Sequence, residues 1–533
     1  MIRVNEIKLS LDATMADIKK ATAKALKINE SKIKNFSIYK KSIDSRKKEE
    51  NIFFIFSVDV EVDGDEQEIV SKFEPSKAAV VEPFSYTMPE VIYKSDFRPV
   101  VVGFGPGGMF ASLILAQAGL RPIVLERGSD VDKRTKDVKN FWLTRELNEK
   151  SNVQFGEGGA GTFSDGKLTT GIKDKRCRKI FLEFAENGAP EEILYSAKPH
   201  IGTDKLALVV KNIRKKIISL GGEIHFESKL TDIIIRNGVV YGITYEDENG
   251  HSIDMEADSV ILAIGHSARD TVEMLYSKNI NMMRKPFSVG ARIEHPQELI
   301  NKAQYGRFAS HPALGAADYK LSCHSLHERG AYTFCMCPGG TVVMAASEKG
   351  GIVVNGMSEY ARNSENANSA LLVGIEPEDV PGDHVLGGIY YQREMEQKAF
   401  ELGGKNYSAP AQLVGDFLNF TPSTKLGSVK PTCPTGVTMS DLTQVLPKKV
   451  TDTMRDAIVK MDKKLNGFAL ADAVLTGPET RSSSPVRILR DEFCQTNIRG
   501  LFPCGEGAGY AGGIVSAGVD GIRCAEALLS GER

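Results

Sequence analysis

The stretch "RPVVVGFGPGGMFASLILAQAGLRPIVLER", Arg98 to Arg127, decides the fold that the sequence predicts. A short apolar run leads through G-F-G-P-G-G into an apolar segment of helical length, and a second apolar run follows it. In a G-x-G-x-x-G turn, Gly103 permits the tight turn after the strand, Gly105 lets the backbone approach a pyrophosphate, and Gly108 lets the helix pack close to the sheet. The phosphates of a dinucleotide would then lie at the positive end of a helix.

Glu126 ends the second strand of this βαβ unit. Its distance from the glycines is typical of an acidic residue that accepts hydrogen bonds from the adenosine ribose, and its charge would repel a 2′-phosphate. The alternative is a strand-to-helix turn without a ligand. The order of strand, helix, strand and terminal acid favours a dinucleotide, but it does not separate FAD from NAD(P).

The C-terminal stretch "GLFPCGEGAGYAGGIVSAGVDGIRCAEAL" favours FAD. A strand ends at Gly505 and Glu506, and a glycine-rich turn then leads into an amphipathic helix. FAD is longer than NAD and needs anchors for its ribityl chain and ring. Free amides at Gly512, Gly513 and Ile514 would stabilise the negative charge that reduced flavin gains.

These motifs together resemble known flavoproteins. Three stretches follow the order seen in flavoproteins of the glutathione-reductase type: the G-x-G-x-x-G turn from Gly103 to Gly108, then "VILAIG", and then "GLFPCGEGAGYAGG". With "FGEGGAGTFSDGKL", "ILAIGHSARDT", "GRFASHPALGAADYKL", "CMCPGG" and "ETRSSSPVRILRD", the chain from about residue 90 resembles a bacterial family of FAD-dependent, NAD(FAD)-utilising dehydrogenases. The resemblance implies that Glu506 binds the ribityl hydroxyls and that the next helix points its N-terminus at the flavin pyrimidine edge. Only one dinucleotide fingerprint is present, so NAD(P)H, as a candidate electron donor, would bind transiently.

The composition excludes several function classes. The 533 residues include 67 Lys and Arg and 69 Asp and Glu, so the formal net charge is only −2. Such a chain has no overall electrostatic field that would attract nucleic acid or an anionic membrane. The eight cysteines are scattered, which indicates reduced thiols. The first residues lack an apolar signal-peptide core, and no apolar run approaches the roughly 20 residues of a membrane helix. We expect a cytoplasmic enzyme whose partner is a small molecule.

The fold class that we predict is α/β, with four segments. Residues 1–88 read as a small N-terminal α+β (ferredoxin-like) domain, and 97–285 as the first part of a Rossmann-like FAD-binding domain. Residues 286–484 read as an inserted α+β substrate or cap domain, and 485–533 as the second part of the FAD domain. The proline-containing stretch from residue 73 to 99 reads as a linker.

Further candidate site residues fall into three groups. The glycine-rich loop "QFGEGGAGTFSDGKLTT" is expected beside the flavin, although a surface loop is the alternative. His266 follows a buried strand and is a candidate acid or base, or else a hydrogen-bonded turn histidine. The insert brings several cationic and tyrosine side chains into a short span, which indicates an anionic substrate. The candidates for cofactor binding, besides those already named, are Pro106, Gly107, Arg127, Gly158, Gly159, Gly161, Ser164, Lys167 and Gly265; those for catalysis are His266, Tyr319 and Arg292; the other insert cations are His295, Arg307, His311, Lys320, His324 and His327.

Three alternatives stay open at this point. Cys335 and Cys337, with Cys323 upstream, raise the question of zinc, but the C-x-C spacing fits no common structural site, so we predict no metal. Burial or a redox-active thiol set near the flavin are the other interpretations of these cysteines. An RNA-directed flavoprotein that uses the N-terminal unit, and a non-catalytic flavin-binding module, are the competing functions.

Overall fold

The computed structural model describes residues 1–325 and 329–531, and its first 80 residues form an antiparallel sheet of order β2-β3-β1-β4. Helix α1 begins with a capping box in which the Asp17 amide donates to Thr14 Oγ1 and the Thr14 amide donates to the Asp17 carboxylate. Strand β4 lies inside the stretch expected to be a linker, because the free edge of β1 recruits it. The elements are β1 (Ile2–Leu9), α1 (Met15–Leu26), β2 (Ile33–Asp44), β3 (Phe53–Val62), α2 (Glu66–Val70) and β4 (Ala78–Val80).

The next segment builds most of a parallel sheet. Strand β5 is three buried valines, as expected for a strand with both faces covered. The stretch 221–265 forms the antiparallel meander that its turns predict, except that its first strand joins the parallel sheet instead. The elements are β5 (Val100–Val102), α3 (Pro106–Gln117), β6 (Ile123–Leu125), α4 (Val131–Thr144), α5 (Arg176–Glu186), α6 (Thr203–Ser219), β7 (Glu223–His225), β8 (Lys229–Arg236), β9 (Val239–Glu246), β10 (Ser252–Glu256), β11 (Val260–Leu262), α7 (Arg269–Ser277) and β12 (Met282–Arg284).

A second large sheet, of order β14-β15-β18-β13-β21-β19-β20, follows. Its central strands β13 and β18 are buried along almost their whole length, and α11 packs against them. The elements are β13 (Phe287–Pro296), α8 (Gln297–Tyr305), β14 (Ser322–His324), β15 (Gly330–Cys337), β16 (Thr341–Met344), β17 (Val354–Met357), β18 (Asn366–Ile375), α9 (Gly387–Leu402), β19 (Ala409–Leu413), α10 (Val414–Leu418), β20 (Val437–Met439), α11 (Lys448–Asp462) and β21 (Val474–Glu479).

The end of the chain returns to the parallel sheet. Strand β23 pairs with β11, which gives the order β23-β11-β5-β6-β7, and α12 packs along α3. The elements are β22 (Val486–Ile488), β23 (Leu501–Pro503) and α12 (Ile514–Leu529). The chain is thus an α/β protein with a Rossmann-like sheet assembled from two distant stretches of sequence, as predicted.

Short 3-10 helices connect some of these elements, at Glu30–Lys32, Gly159–Phe163, Glu191–Leu194, Gly306–Phe308, Pro377–Asp379 and Leu442–Gln444. Within residues 1–325 and 329–531, no helix combines the length and the apolar composition that crossing a bilayer requires.

Candidate functional site

An open chamber, whose roughly 1550 Å³ of space includes its mouth to solvent, lies where the carboxyl ends of β5, β6, β11 and β23 meet the first turns of α3 and α12. Parallel strands bring their carboxyl ends to one edge of the sheet, which is where open α/β sheets bind ligands. The opposite wall comes from the second large sheet.

Most of the residues singled out from the sequence line this chamber, although they come from widely separated stretches. Their roles toward a ligand remain predictions. The lining includes Gly103, Gly105, Pro106, Gly107, Glu126, Arg127, Gly159, Gly161, Ser164, Lys167, Gly265, His266, Gly505, Glu506, Gly512, Gly513 and Ile514. It does not include Gly108, Gly158, Arg292 or Tyr319.

The turn between β5 and α3 needs its glycines for different reasons. Gly103 has φ +97°, and a Cβ there would meet the Ala263 carbonyl oxygen at 2.3 Å. A Cβ at Gly108 would lie 1.8 Å from the Gly103 oxygen, so Gly108 lets the helix lie against the strand without facing the chamber. Gly105 is the N-cap of α3, and no side chain of the described residues caps this helix. The amides of its first turn are therefore available to an anion.

The carboxylate of Glu126 fixes three segments around one end of the chamber. It accepts hydrogen bonds from the amides of Phe104 at 2.8 Å, Gly128 at 2.8 Å and Gly156 at 3.0 Å. The residue is only 5% exposed, yet it lines the chamber. Glu126 thus holds the glycine turn and the glycine-rich loop together while retaining acceptor capacity toward a ligand.

The glycine-rich loop 154–170 packs directly on the fingerprint. A Cβ at Gly159 would lie 3.0 Å from the Cα of Gly105, so backbone meets backbone there. The fully buried guanidinium of Arg134, on α4, ties the loop down, and burial lowers its pKa to about 10. It donates at 2.7 to 2.9 Å to the carbonyl oxygens of Asn152, Val153, Glu157 and Gly159. Sequence reasoning missed Arg134, since an arginine that binds backbone carbonyls has no spacing signature.

Glu506 and His266 face each other across the chamber. Glu506 Oε1 lies 3.8 Å from His266 Nε2. Burial raises the pKa of Glu506 to about 7, with Lys285 opposing the shift. Burial, and then the charges of Arg481 and Arg269, lower the pKa of His266 to about 3. The imidazole is therefore neutral near pH 7, whereas Glu506 titrates there.

The start of α12 presents backbone to the same chamber. Gly513 is the N-cap without a side-chain cap of its own, but the Gly512 amide, predicted to be free, donates to Ser516 Oγ at 3.2 Å. A Cβ at Gly512 would meet no described atom within 4 Å, so this turn opens onto free space. The positive end of the helix dipole thus points at the region between Glu506 and the second sheet.

The wall from the second sheet consists of residues that sequence reasoning did not place at the site. Among them, the cysteines had been noted as an undecided motif, and Arg481 and Ser482 lie in the stretch "ETRSSSPVR", which in sequence suits phosphate or carboxylate binding or else a polar loop. They are Phe334, Cys335, Cys337, Asn355, Gly356, Glu479, Arg481 and Ser482. Their convergence depends on strand pairing in β15, β17 and β21, which a single sequence does not reveal.

Two of the three catalytic candidates lie behind this wall. The fully buried Arg292 donates to Glu479 Oε2 at 3.1 Å and to the Cys335 carbonyl at 2.8 Å. Tyr319 is 5% exposed, its hydroxyl is 2.9 Å from Ser369 Oγ, and burial raises its pKa. Only His266 of the three reaches the chamber.

The remaining cations of the insert do not gather at the chamber. His295 is buried, with Nε2 2.8 Å from the Phe468 carbonyl oxygen, and His311 lies 3.4 Å from Asp12 at the N-terminal unit. Arg307, Lys320 and His324 are likewise outside the lining. His327 lies outside the described residues.

A buried ionic network joins the chamber to α9. Glu396 accepts from Arg269 Nη2 at 2.8 Å and from Arg481 Nη2 at 2.6 Å. Burial alone would raise the pKa of Glu396, but the two guanidinium groups lower it well below its ordinary value. The Arg481 charge is thus largely neutralised, which leaves Lys167 as a cation of the lining with weaker pairing, 4.0 Å from Asp165.

A possible metal-ligand group among the described residues is formed by Cys504, Asp520 and Cys524, whose ligand atoms lie within 4.8 Å of one another. Arg490 already donates to both oxygens of Asp520, at 3.0 and 2.6 Å. The guanidinium of Arg490 therefore already pairs with the carboxylate that a metal ion would need, so these three residues support no metal assignment.

Comparison with known proteins identifies a close relative and a shared domain. The chain is 50% identical over 535 residues to an uncharacterized protein of Clostridium beijerinckii, covering 99% of this chain and 98% of that protein. Residues 286–482 match the family described as "FAD-dependent protein, C-terminal domain-like", and residues 1–61 match a domain of unknown function.

The chain also shares more distant similarities with other proteins. A digeranylgeranylglycerophospholipid reductase of Methanocella arvoryzae is 25% identical over 178 residues, covering 32% of this chain and 40% of that protein. The solved myxobacterial chondrochloren halogenase, described as FAD-dependent, is 12% identical with a TM-score of 0.38 and covers 82% of this chain and 76% of its own. A geranylgeranyl bacteriochlorophyll reductase-like protein of Thermoplasma acidophilum is 14% identical with a TM-score of 0.36, covering 81% and 77%.

Proposed function

We propose that this chain, which belongs to the same family as the Clostridium beijerinckii protein, is an FAD-dependent oxidoreductase. The substrate that we propose is a small molecule. The match of residues 286–482 to an FAD-dependent family supports the cofactor. We assign the cofactor to residues 97–285 and 485–533, and the substrate to the wall supplied by 286–484.

The observation that carries the proposal is the side chain of Glu506. Its carboxyl group opens into the chamber, and no described residue donates a hydrogen bond to it. A partly exposed carboxyl inside a deep chamber fits a ligand that brings its own hydroxyl groups. The ribityl chain of FAD has such hydroxyls, whereas NAD(P) has no polyol at this position.

The remaining parts of FAD have matching partners. The free amides of the first turn of α3 suit the pyrophosphate, and Glu126 suits the adenosine ribose. The open turn at Gly512 and Gly513 suits the flavin ring, because the helix dipole favours negative charge there. Bound FAD supplies hydride chemistry, and the chain supplies position, field and shelter from water.

The substrate that we infer is small and anionic. Lys167 is a cation of the chamber wall whose nearest carboxylate, on Asp165, is already paired with Arg362. A carboxylate or phosphate group on the substrate would pair with Lys167 better than Asp165 does. NAD(P)H is the proposed electron donor and would bind transiently in the same chamber.

The test is the visible absorption spectrum of the purified protein, followed by anaerobic titration with NADH and then NADPH. We expect an oxidised-flavin spectrum that one of the two nucleotides bleaches. A protein that purifies without flavin and does not take up added FAD would refute the proposal. Flavin that neither nucleotide reduces would refute the donor and leave the cofactor intact.

A further inference from the structure

The wall from the second sheet holds a carboxyl group that a buried arginine orients. Glu479 ends β21 and lines the chamber, and its side chain is only 6% exposed. Arg292 Nη1 donates to its Oε2 at 3.1 Å. No described residue donates a hydrogen bond to Oε1, and this oxygen, unlike Asn368 Nδ2, is not sealed from open space. One carboxyl oxygen is therefore held, and the other is free to meet a substrate.

The guanidinium of Arg292 is fixed on every side. It is fully buried, and its Nη2 donates to the Cys335 carbonyl oxygen at 2.8 Å and to Asn368 Oδ1 at 2.6 Å. Its Nε donates to the same Asn368 oxygen at 3.0 Å. A Cβ on Gly356 would lie 2.0 Å from Nη2, so the backbone of β17 closes over the guanidinium. Because Arg292 cannot move, it fixes the direction of the Glu479 carboxyl group.

Burial and charge suit Glu479 to hold a proton and then to release it. Burial raises its pKa above the ordinary value, and Arg292 opposes that shift. Arg292 thereby stabilises the carboxylate that remains after the proton has gone. Burial also raises the pKa of the nearby Cys335 thiol to about 12, and Arg292 and Lys167 oppose that shift, so both positive charges reach this part of the wall. The same charges would stabilise an oxygen that becomes negative here.

Other titratable groups of the chamber are less suited to serve the substrate. His266 is neutral near pH 7 because its pKa is lowered to about 3. Glu506 lies 3.8 Å from His266 on the cofactor side, and no described arginine pairs with its carboxyl group. Both oxygens of Asp165 accept hydrogen bonds from Arg362. Glu479 therefore combines an open oxygen with a guanidinium that stabilises its ionised form.

Resting on the proposed function, we propose that Glu479 is the catalytic proton donor for the reduction of a carbonyl group and that Arg292 is its positioning residue. The π bond of the C=O group breaks, the carbon receives a hydride from reduced FAD, and the oxygen receives the proton of Glu479. One C–H and one O–H bond form, two electrons leave the flavin, and water returns a proton to the carboxylate. Since Lys167 would pair with an anionic group, the substrate class is a small carbonyl compound that carries a carboxylate or phosphate.

The first test separates proton delivery from electron delivery. FAD-loaded protein is reduced with dithionite and reoxidised anaerobically by pyruvate or dihydroxyacetone phosphate, which need hydride and proton, or by ferricyanide, which takes electrons only. We expect Glu479→Gln to slow reoxidation by the carbonyl compounds about 100-fold or more, while ferricyanide reoxidation stays within about twofold. The exposed control Glu492→Gln should match the wild type with all three. Equal carbonyl rates in Glu479→Gln and wild type would overturn the proposal.

The pH profile of the same reaction tests the proton and the role of Arg292. The wild-type rate with a carbonyl compound should fall as pH rises, because Glu479 loses its proton, and Glu479→Gln should show no such fall. Since Glu506 and His266 remain in that variant, a pH dependence that survives in it would assign the proton to one of them and overturn the proposal. Arg292→Lys keeps the charge but lacks the planar fork, so the fall should move to higher pH. Lower flavin content with an unchanged midpoint would make Arg292 merely structural.

The last test needs no turnover. Native protein is treated with a water-soluble carbodiimide and glycine ethyl ester, digested and analysed by mass spectrometry. The reference is Glu294, a fully buried glutamate of the same sheet whose pKa burial also raises and whose carboxyl group accepts from Thr432 and Asn366. We expect Glu479 to be modified well before Glu294, because one of its oxygens is open. Equally slow modification of the two would overturn the proposal.

Failure of this inference differs from failure of the proposed function. Carbonyl compounds that fail to reoxidise a wild-type flavin that ferricyanide does reoxidise would overturn the inference and leave the cofactor assignment intact. Protein that neither contains nor takes up flavin would instead refute the proposed function.

Discussion

The substitution Glu506→Gln should stabilise the flavin-free protein while weakening FAD binding. Burial raises the pKa of Glu506 to about 7 in the folded chain, against an ordinary value of 4.5. The folded state then binds a proton more tightly than the unfolded state, so the free energy of unfolding falls as pH rises from 4.5 to 7. At about 1.4 kcal/mol per pH unit, the penalty reaches up to about 3 kcal/mol above pH 7. Glutamine cannot ionise, so it removes this penalty.

Urea unfolding of flavin-free protein at pH 5 and pH 8 measures the effect. Glu506→Gln should exceed the wild type in unfolding free energy at pH 8 and approach it at pH 5, and the exposed control Glu492→Gln should change neither. FAD titration should show the opposite effect, with affinity roughly 10- to 100-fold weaker, because a hydrogen bond to a charged acceptor is lost. Equal unfolding free energies at pH 8 would refute the assignment of a buried, unpartnered carboxyl.

Three other substitutions test the frame around the chamber. Gly105→Val should abolish FAD uptake, since its side chain would fill the space between turn and loop, while Gly374→Val, with no described atom within 4 Å of its Cβ, should keep flavin content unchanged. Arg134→Met should lower flavin content and speed proteolysis of the glycine-rich loop, because buried carbonyl oxygens lose their donor at a cost of about 1–3 kcal/mol for each group left unsatisfied; Lys136→Met, exposed on the same helix, should do neither. Glu396→Gln should lower the unfolding free energy by about 3–5 kcal/mol in urea, since it strands two buried guanidinium groups, and a loss below 1 kcal/mol would contradict the described network.

The sequence predicted the parts of the site that depend on local rules. The turn from Gly103 to Gly108 is readable because the positive φ of Gly103 and the close helix–strand approach at Gly108 both require glycine, and the βαβ unit follows from the pattern of strand, helix and strand. The placement of Glu506 in the chamber follows from the same logic at a second strand end. The pattern failed at β4 and β7, where three-residue strands join sheets through tertiary pairing alone.

The residues of the opposite wall could not be predicted from the sequence, and the reason is physical. Arg292 looks like a substrate cation in sequence, but an arginine in a central strand faces either the chamber or the core according to register, and register is set by β18 and β21. In this fold it faces inward and binds the Cys335 carbonyl and Glu479, two residues of the chamber wall, without lining the chamber itself. Arg481 does line the chamber, but its charge is paired with the carboxylate of Glu396.

The network around Glu396 gives the two parts of the site a common support. Arg269 begins the helix that follows the His266 turn, Arg481 follows the strand that carries Glu479, and both bind one carboxylate on α9. Because a buried charge cluster is costly in desolvation and reacting groups need fixed distances, we infer that this cluster is retained beside the chamber to hold the His266 turn and the strand of Glu479 at a fixed spacing.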